Sequence, residues 1–156
     1  MQAQYADASW WAVMTVWFVV NAVNTLQGIG FLSRVRTGTM TFNYYLGFVI
    51  LLLAIPAMIA LVAFFLEGAN WIHRIGPIIF LVFIVLLLFV DYIRPVEFRS
   101  PIRPEILVPF LVLFFGGILF MGLPMFRINR LLWLVTAATT IFHLISMTIA
   151  MRMGVG

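Results

Sequence analysis

Long apolar stretches, rather than any alternation of apolar and polar positions, set the pattern of this chain. From Ile78 to Val90 (IIFLVFIVLLLFV) every side chain is apolar, and four or five comparable stretches fill nearly the whole sequence. A helix rising about 1.5 Å per residue needs about 20 apolar residues to cross a hydrocarbon layer of roughly 30 Å. Windows near Trp10–Leu32, Tyr44–Leu66, Ile75–Ile93, Ile106–Phe126 and Leu131–Met151 meet that requirement. Strands span a bilayer only as a closed barrel with alternating faces, and Ile78–Val90 does not alternate. The expected fold is all-α: a multi-pass transmembrane helical bundle of five spans, or four, forming one integral-membrane domain over residues 1–156.

Composition agrees, with 65% hydrophobic and only 9% charged residues. The mean hydropathy is +1.16, far from the balance of a water-soluble domain. The absence of cysteine excludes disulfides, thiolate nucleophiles and cysteine-ligated zinc or iron–sulfur clusters. Neither a metal site nor a cofactor is expected. A pI near 10.4 could suggest nucleic acid, but the arginines are scattered over short loops, so phospholipid head groups are the expected partners and nucleic acid is not.

All nine basic residues are arginines. With five spans, Arg34, Arg36, Arg94, Arg99, Arg103 and Arg152 share one side, against Arg74, Arg127 and Arg130 on the other. By the positive-inside rule the N-terminus is expected outside and the C-terminus in the cytoplasm. No basic residue precedes Arg34, so the first segment lacks the charged start of a cleavable signal and is expected to remain in the mature protein.

Two spans carry polar stripes. At about 100° per residue, Asn129, Thr136, Thr139, Thr140, His143, Ser146, Ala150 and Gly154 gather within about 60° of His143. Ser146, Ala150 and Gly154 repeat the small-xxx-small spacing of close helix contacts. In the first span Trp10, Met14, Trp17, Asn21, Asn24, Thr25 and Gly28 share one face. An unpaired amide in an apolar medium costs about 1–3 kcal/mol, so the two stripes are expected to face each other. They would either pair, asparagines with His143 and the threonines, or enclose a small polar cavity. Pairing is the first expectation. An ionisable residue near the middle of a span is a functional candidate by default, and His143 is so placed, whereas the carboxylates fall at predicted ends or in loops.

Pro56, Pro109 and the Gly116–Gly117 pair are expected to kink or loosen their helices, and Leu81–Val90 to take a lipid-facing or peripheral position. The third loop is the one chemically dense region. Asp91, Arg94, Glu97, Arg99 and Arg103, stiffened by prolines, form a candidate head-group or phosphate site, since arginine forks match phosphate geometry. Local ion pairing in a cytoplasmic loop is the plainer account.

No glycine-rich phosphate loop, serine elbow or zinc-helix motif is present, and the chain has no catalytic signature. Three readings follow. The first is a noncatalytic subunit of a membrane assembly, or a homo-oligomer, contacting other chains through its stripes and aromatic surface. The second is a binder or carrier of a lipophilic small molecule between the first and last helices, held by Asn21, Asn24, Thr140 and His143. The third is a small enzyme acting on a phosphate-bearing lipid at the third loop.

Overall fold

The computed structural model describes residues 8–96 and 103–155. All regular structure among them is helical: α1 (Trp10–Thr37), α2 (Thr41–Leu52), α3 (Ala54–Leu66), α4 (Trp71–Leu87), α5 (Pro104–Ile128) and α6 (Arg130–Arg152). A π-helical turn, Leu88–Ile93, continues α4. Five units are long and apolar enough to cross a bilayer: α1, α2 with α3, α4 with its π turn, α5, and α6.

The helix ends have local causes. α1 runs past Leu32 to Thr37, placing Arg34 and Arg36 in its last turn, where cations favour the helix dipole. It stops at Gly38, whose φ of 67° is left-handed and whose N–H bonds the Arg34 carbonyl at 2.8 Å. Asn70 and Asn129 cap α4 and α6 by accepting backbone N–H bonds, so Asn129 serves a helix start rather than the polar stripe. Gly154 likewise lies beyond α6, in a left-handed turn with φ 70°, and the small-residue face ends at Ala150. Pro56 has no N–H to return to Leu52, and the second span breaks at Leu53. By contrast α5 continues as helix through Pro109, Gly116, Gly117 and Pro124.

α1 is the hub. It packs against α2, α3, α5 and α6, and half of its apolar window is buried, the largest share of any span. A helix buried on several sides needs apolar residues all round, and Ala12, Val13, Val16, Val19, Val20 and Val23 supply them. At its start the Ser9 N–H donates to the Glu67 carboxylate at 2.8 Å, tying α1 to the end of α3. The neighbouring Ser9 hydroxyl and that N–H hold the Glu67 carboxyl below the usual carboxylate range.

The second strong contact is between α4 and α5, and glycine makes it close. A Cβ on Gly76 would stand 2.6 Å from the backbone nitrogen of Met121, and one on Gly117 would stand 3.3 Å from Phe80 Cα. Gly117 therefore serves packing, not loosening. This approach also limits the outward-facing part of Leu81–Val90 to one side of the helix. At helical spacing, Phe83, Ile84, Leu87 and Val90 are buried, while Val82, Val85, Leu88 and Phe89 face outward. Phe83 meets Phe110 and Phe114 at ring separations of 5.1 Å each.

Gly76→Ala should lower unfolding free energy by about 2 kcal/mol, within the 1–3 expected for over-packing, because backbone cannot yield as a side-chain tip can. Gly116→Ala places its Cβ in ordinary contact with Ile79, 3.6 Å away, and should stay within about 0.5 kcal/mol of wild type. Thermal unfolding of both variants in mild detergent checks the contrast.

Candidate functional site

The polar stripes of α1 and α6 meet in parallel register. Asn21 Nδ2 donates to the Trp17 carbonyl at 2.7 Å and to Thr136 Oγ1 at 3.1 Å, and Thr139 Oγ1 donates to Asn21 Oδ1 at 2.8 Å. Asn24 Nδ2 reaches Thr140 Oγ1 at 2.9 Å and Thr139 Oγ1 at 3.4 Å. Trp17 Nε1 closes the N-terminal end on the Leu132 carbonyl at 2.9 Å. Thr136, Thr140 and Ser146 also return their hydroxyls to carbonyls of their own helix. Thr25 is half-buried on α1. Gly28 admits the Phe142 ring where a Cβ would collide with it.

His143 lies outside this network. It is 2% exposed, and its ring is surrounded by Phe31, Phe114 and Phe115 at centroid distances of 5.8, 5.1 and 5.9 Å. Its Nδ1 has no hydrogen-bond partner among the described residues. The asparagines thus pair with threonines, and the imidazole sits in an aromatic box.

Beyond Phe31 and His143 the helices part around a cleft of about 910 Å³. All five spans contribute walls, including Leu46 and Ile50 of α2, Leu87 of α4, Phe110 of α5 and Met147 of α6. The polar positions are few: Gln27, Arg34, Asn43, Tyr44, Asp91 and Tyr92. A concave, mostly apolar space with a few polar groups, at the upper end of the roughly 300–1,000 Å³ range of ligand pockets, has the form of a small-molecule site.

Of the third-loop residues, Asp91 is half-buried in the π turn and lines this cleft. Arg94 and Arg103 are exposed at the ends of the flanking helices, and Glu97 and Arg99 lie outside the described residues. Arg34 belongs to the cleft but not to the expected head-group set. It is 6% exposed, with its guanidinium carbon 4.6 Å from the Phe31 ring centroid. Ending α1 at Leu32 hides this; in a helix reaching Thr37, Gln27, Phe31 and Arg34 share one face at i, i+4 and i+7.

Tyr92 ties the cleft wall together. Its hydroxyl donates to the Tyr44 carbonyl at 2.7 Å, and the two rings lie 4.7 Å apart. Gly47 permits this, since a Cβ there would stand 2.6 Å from the Tyr92 hydroxyl oxygen. The π turn positions the ring: the Arg94 N–H bonds the Phe89 carbonyl five residues back at 2.9 Å, a wider turn than that of an α-helix. Pro95 then ends the helix by forcing Arg94 out of helical geometry, to φ −128° and ψ 81°.

Among the described residues no group of three or more His, Asp or Glu side chains could hold a metal ion. No protein-family model matches the chain, and no curated protein or solved structure matches it.

Two experiments probe these contacts. A double-mutant cycle of Asn24→Ala with Thr140→Ala should give a coupling energy of about 0.6 kcal/mol, the average for interhelical bonds in membranes, and no more than about 1.7 kcal/mol. A coupling of zero in denaturant titrations would remove the bond from the seam. Tyr92→Phe should cost about 0.5–1.5 kcal/mol and accelerate amide exchange across Thr41–Leu52 while leaving α3 protected. Equal acceleration in both helices would contradict the tie.

Proposed function

We propose that the protein is a noncatalytic binder of an amphiphile drawn from the bilayer. The apolar part of the ligand lies between the helices in the cleft, and its polar head lies at Arg34 and Asn43. The observation that carries this reading is the cleft itself, about 910 Å³ of apolar-walled space with a buried arginine in its lining. A guanidinium favours a head group with phosphate or carboxylate oxygens.

This is the lipophilic-ligand reading with its location changed. The α1–α6 seam is filled by its own hydrogen bonds, and the available space lies beyond it. In the proposed orientation, six arginines against three put the cleft at the cytoplasmic face, where Arg94, Arg103 and Arg152 would also meet anionic lipid. A subunit or homo-oligomer role would use the apolar outer surface, which lipid tails also account for.

Native mass spectrometry of protein extracted in mild detergent tests the proposal. Wild type should retain close to one amphiphile per chain. Leu46→Trp and Met147→Trp, which fill the cleft with an indole, should each cut retention about tenfold, equivalent to about 1.4 kcal/mol, without loss of helicity. Equal retention in all three proteins would overturn the reading.

A further inference from the structure

His143 is costly as a packing residue. A neutral imidazole carries one N–H donor and one acceptor nitrogen. Leaving a buried polar group unpaired costs about 1–3 kcal/mol. Elsewhere on α6, Thr136, Thr139, Thr140, Ser146 and Thr148 all bond to a neighbouring carbonyl or amide. His143 offers Nδ1 to no described residue and is enclosed by three phenyl rings that a phenylalanine or leucine would suit better.

Its position supplies a reason. Met147 and Met151, one and two turns further along the same helix, line the cleft. Phe31 and Phe115, two of the three rings around the imidazole, line it as well. A single aromatic layer therefore separates the imidazole from the cleft. Phe31 also lies under the Arg34 guanidinium at 4.6 Å, so the buried cation and the buried imidazole flank the same phenyl ring.

We infer that His143 is the inner polar contact of the cleft, which binds an amphiphile carrying a second hydrogen-bonding group, a hydroxyl or carbonyl oxygen, within its apolar part. The head lies at Arg34, the chain displaces the Phe31 ring, and the inner oxygen pairs with the imidazole. A hydroxyl can donate to the bare ring nitrogen or accept from the N–H, and a carbonyl can accept from the N–H. This inference rests on the proposed binding function and specifies its ligand class.

The test uses the full chain in nanodiscs and two probes, decanoate and 3-hydroxydecanoate, whose hydroxyl stands a few bonds from the carboxylate as Arg34 and His143 flanking one ring require, with affinities from native mass spectrometry. The readout is the affinity ratio of the hydroxylated to the plain probe, which cancels general effects on the cleft. His143→Phe should lower that ratio about tenfold, and His143→Gln, which keeps a donor and an acceptor, should hold it within about threefold of wild type. Binding of plain decanoate by each variant reports that the cleft is intact. If both probes bind and the ratio is the same in wild type and His143→Phe, the role of His143 is overturned and the cleft reading stands. If neither probe binds wild type, the cleft reading fails and this inference fails with it.

Discussion

The hydrocarbon layer offers no water, so each amide placed in it must find its partner within the protein. That constraint organises the bundle. Asn21 and Asn24 cannot face lipid without loss, and the threonine face of α6 meets them in parallel register. Once the first and last spans are joined this way, α2, α3 and α5 fill the remaining sides of α1, and α4 packs outside them against α3 and α5. The most buried helix is thereby the one with the most demanding polar groups.

The same pairing determines where open space arises. Along the seam, threonine, alanine and glycine allow α1 and α6 to approach, and Gly76 and Gly117 do the same for α4 and α5. Past Phe31 the second span is divided at Leu53, and its first half, α2, lines the gap through Asn43, Tyr44, Leu46, Gly47 and Ile50. α3 is held by Ala57, Ala60, Leu61, Ala63 and Phe64, whereas Ile50 is the one buried residue of α2. The Tyr92–Tyr44 bond therefore links a weakly packed half-helix to the firmly packed α4.

The all-helical class and the five spans were legible because length and hydropathy are properties of single segments. The two stripes were legible because amides and hydroxyls repeat at helical spacing. Which of their members would pair was not: His143 shares the face of Thr139 and Thr140, yet its ring reaches the phenylalanines instead. The cleft was hidden for a different reason. Its polar residues come from distant parts of the chain, and Arg34 resembles a loop charge until α1 is extended by more than a turn. Leu81–Val90 resembled lipid-facing scaffold because uniform apolarity contains no signal for which side meets protein.

The seam also has a history during synthesis. Asn21 and Thr136 are separated by 115 residues, so α1 enters the membrane well before its partner exists. At about 5–20 residues per second, that interval is on the order of 6–23 seconds. Asn21 can wait with its amide turned back to the Trp17 carbonyl, a bond within its own helix. Both bonds of Asn24 cross to α6, so until the last span arrives this amide must be sheltered by water at the membrane boundary or by the insertion machinery. The residue that locks the finished bundle is thus the one that most burdens its assembly.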